Sequence, residues 1–96
     1  MNFQFLAAAR VEFEEAFDYY EAQREGLGEE FAREVYRTIQ RITDHPLAWR
    51  KLSRKTRRCR TKRFNYGIIY QIRGNEIFIV AVMHLSRKPG YWKSRL

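Results

Sequence analysis

Residues 66–83 read Tyr66-Gly67-Ile68-Ile69-Tyr70-Gln71-Ile72-Arg73-Gly74-Asn75-Glu76-Ile77-Phe78-Ile79-Val80-Ala81-Val82-Met83, and this stretch decides the fold. Tyr66, Ile68, Tyr70 and Ile72 alternate with Gly67, Ile69, Gln71 and Arg73, the period-two pattern of a strand. Gly74-Asn75 supplies a two-residue hairpin loop with glycine at the first central position, as a type II′ turn requires. Glu76–Met83 is apolar on both faces, which predicts the most buried strand of a sheet.

Upstream of the hairpin, residues 50–63 hold nine Lys/Arg and no acid, with Leu52 and Cys59 the only apolar members. The stretch reads as a basic loop running into a basic edge strand. Earlier still, Ala9, Phe13, Ala16, Phe17 and Tyr20 recur at helical spacing and give one apolar face on a helix of about four turns. Gly26-Leu27-Gly28 interrupts the pattern. A second helix carries Leu27, Phe31, Val35, Ile39 and Ile42 in register, with Glu29 and Arg33 as an i,i+4 pair, and Pro46 stops it. The two segments predict an antiparallel helical hairpin, preceded by a short strand at 2–6. Beyond the last strand, His84–Leu96 contains Pro89-Gly90 and ends in an aromatic and basic tail.

Charge divides the chain in two. Residues 1–48 hold five Lys/Arg against ten Asp/Glu, a balance of −5; residues 49–96 hold fourteen Lys/Arg against Glu76 alone, a balance of +13. The two sum to the net +8 of the chain. Because the basic half also carries nearly all the β signal, its charge decorates a sheet and predicts a structured surface for an anionic or acidic partner.

Length and composition exclude several classes. Ninety-six residues make a single domain spanning 1–96, long enough to bury roughly 60–65% of its unfolded surface. Seven Phe, six Tyr and two Trp oppose disorder. Cys59 is the only cysteine, so there is no internal disulfide and no structural zinc framework. No basic residue precedes the apolar start, Glu12, Glu14 and Glu15 follow it, and no apolar run approaches the roughly 20 residues that cross a bilayer. A soluble, cytoplasmic protein without a membrane partner is expected.

The order of these segments, with Tyr19-Tyr20, Gly26-Leu27-Gly28-Glu29-Glu30-Phe31, Arg63-Phe64-Asn65-Tyr66-Gly67-Ile68-Ile69-Tyr70 and Ala81-Val82-Met83-His84-Leu85-Ser86-Arg87-Lys88-Pro89-Gly90-Tyr91-Trp92, resembles the RelE/ParE superfamily of bacterial type II toxins. The likeness spans essentially the whole chain. It implies an α+β class with a βααβββ fold, in which the helical hairpin packs on a twisted, largely antiparallel sheet. It also implies a cognate antitoxin that neutralises the toxin in a hetero-oligomer, through an acidic C-terminal segment. One branch of the superfamily cleaves mRNA on the ribosome; the other poisons DNA gyrase. Modules of this kind serve plasmid stabilization.

The residues distinguish the branches in part. RNA cleavage by 2′-OH attack needs a base, a cation for the phosphorane and an acid for the leaving oxygen. The RelE-like nucleases resemble one another in carrying an arginine just after the aromatic that opens the third strand, where this chain has Gly67, and another directly after the last strand, near Leu85. The nuclease set is therefore incomplete, and the resemblance leans to the ParE-like branch, a gyrase inhibitor without catalysis of its own. The alternatives are a metal-independent endoribonuclease using Arg60, Lys62, His84, Arg87 and Tyr91, or a non-toxic nucleic-acid-binding relative.

His84 is either an acid/base group near neutrality or a strand-end histidine that holds the tail; His45 reads as a residue at a helix C-terminus. Neither has a metal-ligand partner at useful spacing, so neither metal nor cofactor is expected. The run Arg54, Lys55, Arg57, Arg58, Arg60, Lys62 and Arg63 is an edge guard, a phosphate surface or an antitoxin dock. Alternation places Arg58, Arg60 and Lys62 on one face. Arg87, Lys88, Tyr91, Trp92, Lys93 and Arg95 suit either contact with a target or antitoxin, or pinning of the tail. Tyr19 and Tyr20 read as hairpin packing, and Glu12, Glu14, Glu15 and Asp18 as a solvated helix face.

Overall fold

β1 (Asn2–Phe5), α1 (Ala7–Gln23), α2 (Leu27–Asp44), β2 (Arg50–Lys51), β3 (Thr56–Arg60), β4 (Tyr66–Arg73) and β5 (Glu76–His84) follow one another in the computed structural model, which describes all of residues 1–96. A 3-10 turn at Tyr91–Arg95 ends the chain. The sheet runs β1-β5-β4-β3-β2; β1 pairs with β5 in parallel, and every other pair is antiparallel. This is the expected α+β architecture with one addition, the two-residue β2. No helix is long and apolar enough to cross a membrane.

The hairpin read from residues 66–83 forms with Arg73 opposite Glu76 across Gly74-Asn75. Gly74 has φ +61°, the left-handed value its turn position demands. Between Ile69 and Tyr70 the register shifts: Ile69 pairs with Ala81 and Tyr70 with Ile79, which leaves Val80 as a bulge. The extra residue changes the parity of β5. Ile77, Ile79 and Val82 face the helices, whereas Val80, Ala81 and Met83 lie on the opposite side. The twofold apolar character of Glu76–Met83 thus has a concrete cause, since both faces of β5 are covered.

The main core lies between the sheet and the helical hairpin. Phe31, Val35, Ile39 and Ile42 of α2 meet Cys59, Ile68, Tyr70, Ile77 and Ile79 there, and each fully buried side chain contributes about 1.5–3 kcal/mol. Tyr20, Phe64 and Tyr66 surround Phe31 with ring centroids 4.9–6.4 Å apart. Tyr20 therefore packs the hairpin, as expected, while Tyr19 stays 61% exposed. The turn between the helices is tied by Glu21, whose carboxylate accepts the backbone N–H groups of Gly26 and Gly28, both at 3.0 Å. It satisfies donors that the start of α2 would otherwise leave unpaired.

A second, smaller core occupies the other face of the sheet. Trp92 packs there with Ile69, Val80, Ala81 and Met83, flanked by Leu6, Leu52 and Leu85.

Three expectations need correction. The basic strand β3 is not the sheet edge, because Arg50 and Lys51 of β2 pair with Arg58 and Arg57. β3 ends at Arg60, so Lys62 shares no strand face with Arg58 and Arg60. Its backbone N–H instead turns to the buried Glu34 carboxylate of α2 at 2.5 Å. Finally, Glu12 is not solvated; it lies between α1, β5 and the C-terminal turn, while Glu14, Glu15 and Asp18 are exposed as expected.

Candidate functional site

Strand alternation sorts the basic run by face. Cys59 and Arg57, opposite Ile68 and Tyr70, point to the helix side; Arg58 and Arg60, opposite Ile69 and Gly67, point to the open side, joined by Arg50 opposite Arg58. Arg50, Arg58 and Arg60 form a column of like charge with no acid against it, for the ion pairs of the chain involve only Arg24, Arg33, Arg63, Arg87 and Arg95 among its basic residues. Burial, Arg50 and Arg60 all push the Arg58 pKa down, burial most strongly. Its Nε is buried and has no hydrogen-bond partner. An anion laid against this face would relieve the repulsion among the three guanidiniums.

The Arg58 stem also accounts for Gly67. A Cβ at Gly67 would fall 2.9 Å from Arg58 Cδ and 3.2 Å from Leu85 Cδ2. The two positions at which the nuclease-type arginines are missing thus meet in one contact around Arg58. Lys62 and Arg63 leave this face. Arg63 pairs with Glu30 at 2.9 Å, and together with Arg24 it holds the Glu30 carboxyl below its ordinary range.

The C-terminal candidates are committed to a different task. Tyr91 Oη donates to Glu12 Oε2 at 2.5 Å, and Arg95 donates to both Glu12 oxygens at 2.8 and 2.9 Å. Arg87 stands 3.6 Å from the same carboxylate and 3.8 Å from the centre of the Tyr91 ring. Burial, then its bond to Glu12, pushes the Tyr91 phenol well above its usual range, and Arg95's own bonds to Glu12 raise the guanidinium. Trp92 is 3% exposed, which makes it a packing residue. Lys88 and Lys93 remain exposed beside this lock and are the parts of the tail free to touch a partner.

His84 ends β5 with its ring edge-on to Tyr66, centroids 5.1 Å apart. Its Nδ1 accepts the Ser86 N–H at 3.1 Å and lies 2.7 Å from Ser86 Oγ. The lone pair of Nδ1 is therefore occupied, and Nε2 carries the proton in the neutral ring. His84 and Arg87 line a depression of about 310 Å³ together with Glu12 and Glu15. A phosphate entering it would meet the exposed Glu15 carboxylate, while Arg87 and Glu12 are already engaged with each other. Of the nuclease candidates, Tyr91 is locked on Glu12, Lys62 has left the face of Arg60, and His84 has its Nδ1 taken up by Ser86. His45 caps α2, its N–H bonded to the Arg41 carbonyl, and is exposed. No three His, Cys, Asp or Glu side chains converge.

Two residues of the site escape the sequence reading. Arg50 joins the open column only through the β2–β3 pairing, which no short-range pattern signals. Glu12 carries a faint signal: it stands three residues after Ala9 and four before Ala16, on the buried stripe of α1.

Comparison with known proteins adds the family. The family described as "ParE toxin of type II toxin-antitoxin system, parDE" matches residues 3–89. A solved structure, the chromosomal ParDE toxin–antitoxin system from P. aeruginosa, shares the fold with a TM-score of 0.68 at 15% identity, over 90% of this chain and 97% of that one. No curated protein matches the sequence. Covering both the helical hairpin and the sheet, the family match shows that this chain belongs to the ParE toxins of type II toxin–antitoxin systems.

Proposed function

We propose that this chain is the toxin of a two-gene module, acting in the cytoplasm by binding DNA gyrase and trapping the enzyme's covalent DNA intermediate. A cognate antitoxin with an acidic C-terminal segment neutralises it. Family membership supports the toxin role. The observation that carries the target reading is the unpaired column of Arg50, Arg58 and Arg60 on the open face, together with the exposed Lys88 and Lys93. Binding needs only such a surface. Strand cleavage by the chain itself would need converging acid, base and phosphate-stabilising groups, and Gly67, Lys62 and Tyr91 are each placed against that.

The test is induction in cells, paired with a supercoiling assay. Filamentation, an SOS response and inhibition of purified gyrase are expected, all reversed by coexpression of the acidic antitoxin. Rapid arrest of translation with codon-positioned mRNA cuts and no DNA breaks would overturn the gyrase reading.

A further inference from the structure

The strand alternation that sends Arg50, Arg58 and Arg60 to the open face sends Lys51 and Arg57 to the other, where they border a groove of about 480 Å³. Arg54, Lys55 and Arg73 complete its walls, and no acid lines it. Arg57 is held in place by Nη1 bonds to the carbonyls of Leu47 and Trp49 at 3.1 and 3.0 Å. Arg73, which alternates with Ile72 and so belongs to the face of Ile69 and Gln71, reaches the groove at its rim; Gln71 Oε1 at 3.0 Å and the Phe78 ring, 4.6 Å away, steady it there. Lys51, Arg54 and Lys55 are exposed. One tethered guanidinium, Arg57, and three exposed cations thus line one concavity, with Arg73 at its rim.

The lining is not purely cationic. Leu47, 70% exposed, and the half-buried Ile72 present apolar surface between the charges. An exposed leucine beside five cations has no use in holding a phosphate backbone. Tyr70 offers no stacking platform for a base, because it is fully buried and its hydroxyl is tied to the Pro46 carbonyl at 2.6 Å. The combination suits carboxylates that flank an aliphatic side chain.

We infer that this groove is the docking site for an acidic, leucine-like segment of the neutralising antitoxin, separate from the target-binding arginines on the opposite face of the same two strands. The inference rests on the toxin reading only for the identity of the partner. Its consequence is a separation of functions: changes in the groove release the toxin from control without disarming it.

The experiment measures fluorescence anisotropy of the purified chain with three probes: a short synthetic peptide of alternating glutamate and leucine, an all-glutamate peptide of equal length, and a duplex oligonucleotide. The glutamate–leucine peptide is expected to bind about tenfold tighter than the all-glutamate one, and Leu47→Ser to erase that difference. Changing Lys51, Arg54 and Lys55 together to Gln, with an unchanged circular dichroism melt, is expected to weaken peptide binding at least about tenfold, whereas Arg60→Gln leaves it within about twofold. Equal binding by the triple variant overturns the inference. So does a preference for duplex that the triple variant loses.

In cells, the triple variant is expected to stay toxic while escaping an antitoxin encoded beside the gene. If the antitoxin neutralises it as well as the unchanged toxin, the groove assignment falls and the toxin reading stands. If the unchanged chain neither slows growth nor inhibits gyrase, the toxin reading falls, and the peptide titrations decide the groove by themselves.

Discussion

Glu12 and Arg95 lie side by side against β5, where Glu12 Oε1 accepts the Val82 N–H at 3.0 Å and Arg95 Nη1 donates to the Val80 carbonyl at 3.0 Å. β1 ends at Phe5 opposite Ile79, with the Leu6 N–H bonded to the Ile79 carbonyl as the last rung. Beyond that rung the backbone of β5 has no strand on its β1 side, while β4 continues on the other. An ion pair from α1 and the C-terminal turn supplies one acceptor and one donor in its place, so the sheet edge is finished by side chains.

Glu12→Ala should therefore be among the most damaging single changes in α1. It strands a half-buried Arg95, the Tyr91 hydroxyl and the Val82 N–H at once, and removing one member of a buried pair typically costs about 3–5 kcal/mol. Urea denaturation should show a loss near the lower end of that range, since Arg95 keeps 20% side-chain exposure. Glu12→Gln, which can still accept the Val82 N–H, should lose less. Equal stability of Glu12→Ala and the unchanged chain would show that the tail is held by Trp92 alone.

Restoring the arginine of the nuclease pattern should fail. Gly67→Arg must displace the Arg58 stem and Leu85, an overpacking that commonly costs about 1–3 kcal/mol. The expected result is a lower melting temperature and no gain in RNA cleavage. A stable Gly67→Arg protein that cuts RNA would show that one missing cation was all that separated this chain from the nuclease branch.

Alkaline pH should weaken the fold. Burial raises the phenols of Tyr66 and Tyr91 well above their usual range and pushes Tyr70 up to about 12. Each keeps its proton in the folded chain at a pH where the unfolded chain has released it. The unfolded state then binds fewer protons, so stability is intact below about pH 10 and declines above it, by about 1.4 kcal/mol per pH unit for each phenol that stays protonated. Chemical denaturation between pH 9 and about 12 should reveal the slope, and Tyr70→Phe should make it shallower while Tyr66 and Tyr91 keep their share. A pH-independent midpoint in Tyr70→Phe and the unchanged chain alike would contradict these burial effects.

The fold was legible where pattern and packing coincide. Phe31, Val35, Ile39 and Ile42 announce their stripe by spacing, and Gly74-Asn75 announces its turn. The bulge at Val80 was not legible, because a strand apolar on both faces hides a change of parity. Glu12 stood at a core spacing under the disguise of a charged residue type, and its partners lie 70 to 83 residues away. The open basic face was half visible: alternation found Arg58 and Arg60, but the end of β3 removed Lys62, and β2 added Arg50 through a pairing only the tertiary fold creates.

His84 and Arg60 give the decisive comparison between binding and catalysis. His84 has its Nδ1 lone pair engaged by the Ser86 N–H, so it is poorly placed as a general base. Arg60 is exposed on the open face, and changing an exposed strand charge usually alters stability by less than about 0.5 kcal/mol. Arg58→Glu is a less clean probe, because the Arg58 stem packs over Gly67. Arg60→Glu should therefore abolish most gyrase inhibition in a supercoiling assay while leaving the melt unchanged, and His84→Ala should retain most of it. The opposite order, with His84→Ala inactive and Arg60→Glu fully active, would move the chemistry from a binding face to the histidine and return the chain to the nuclease reading.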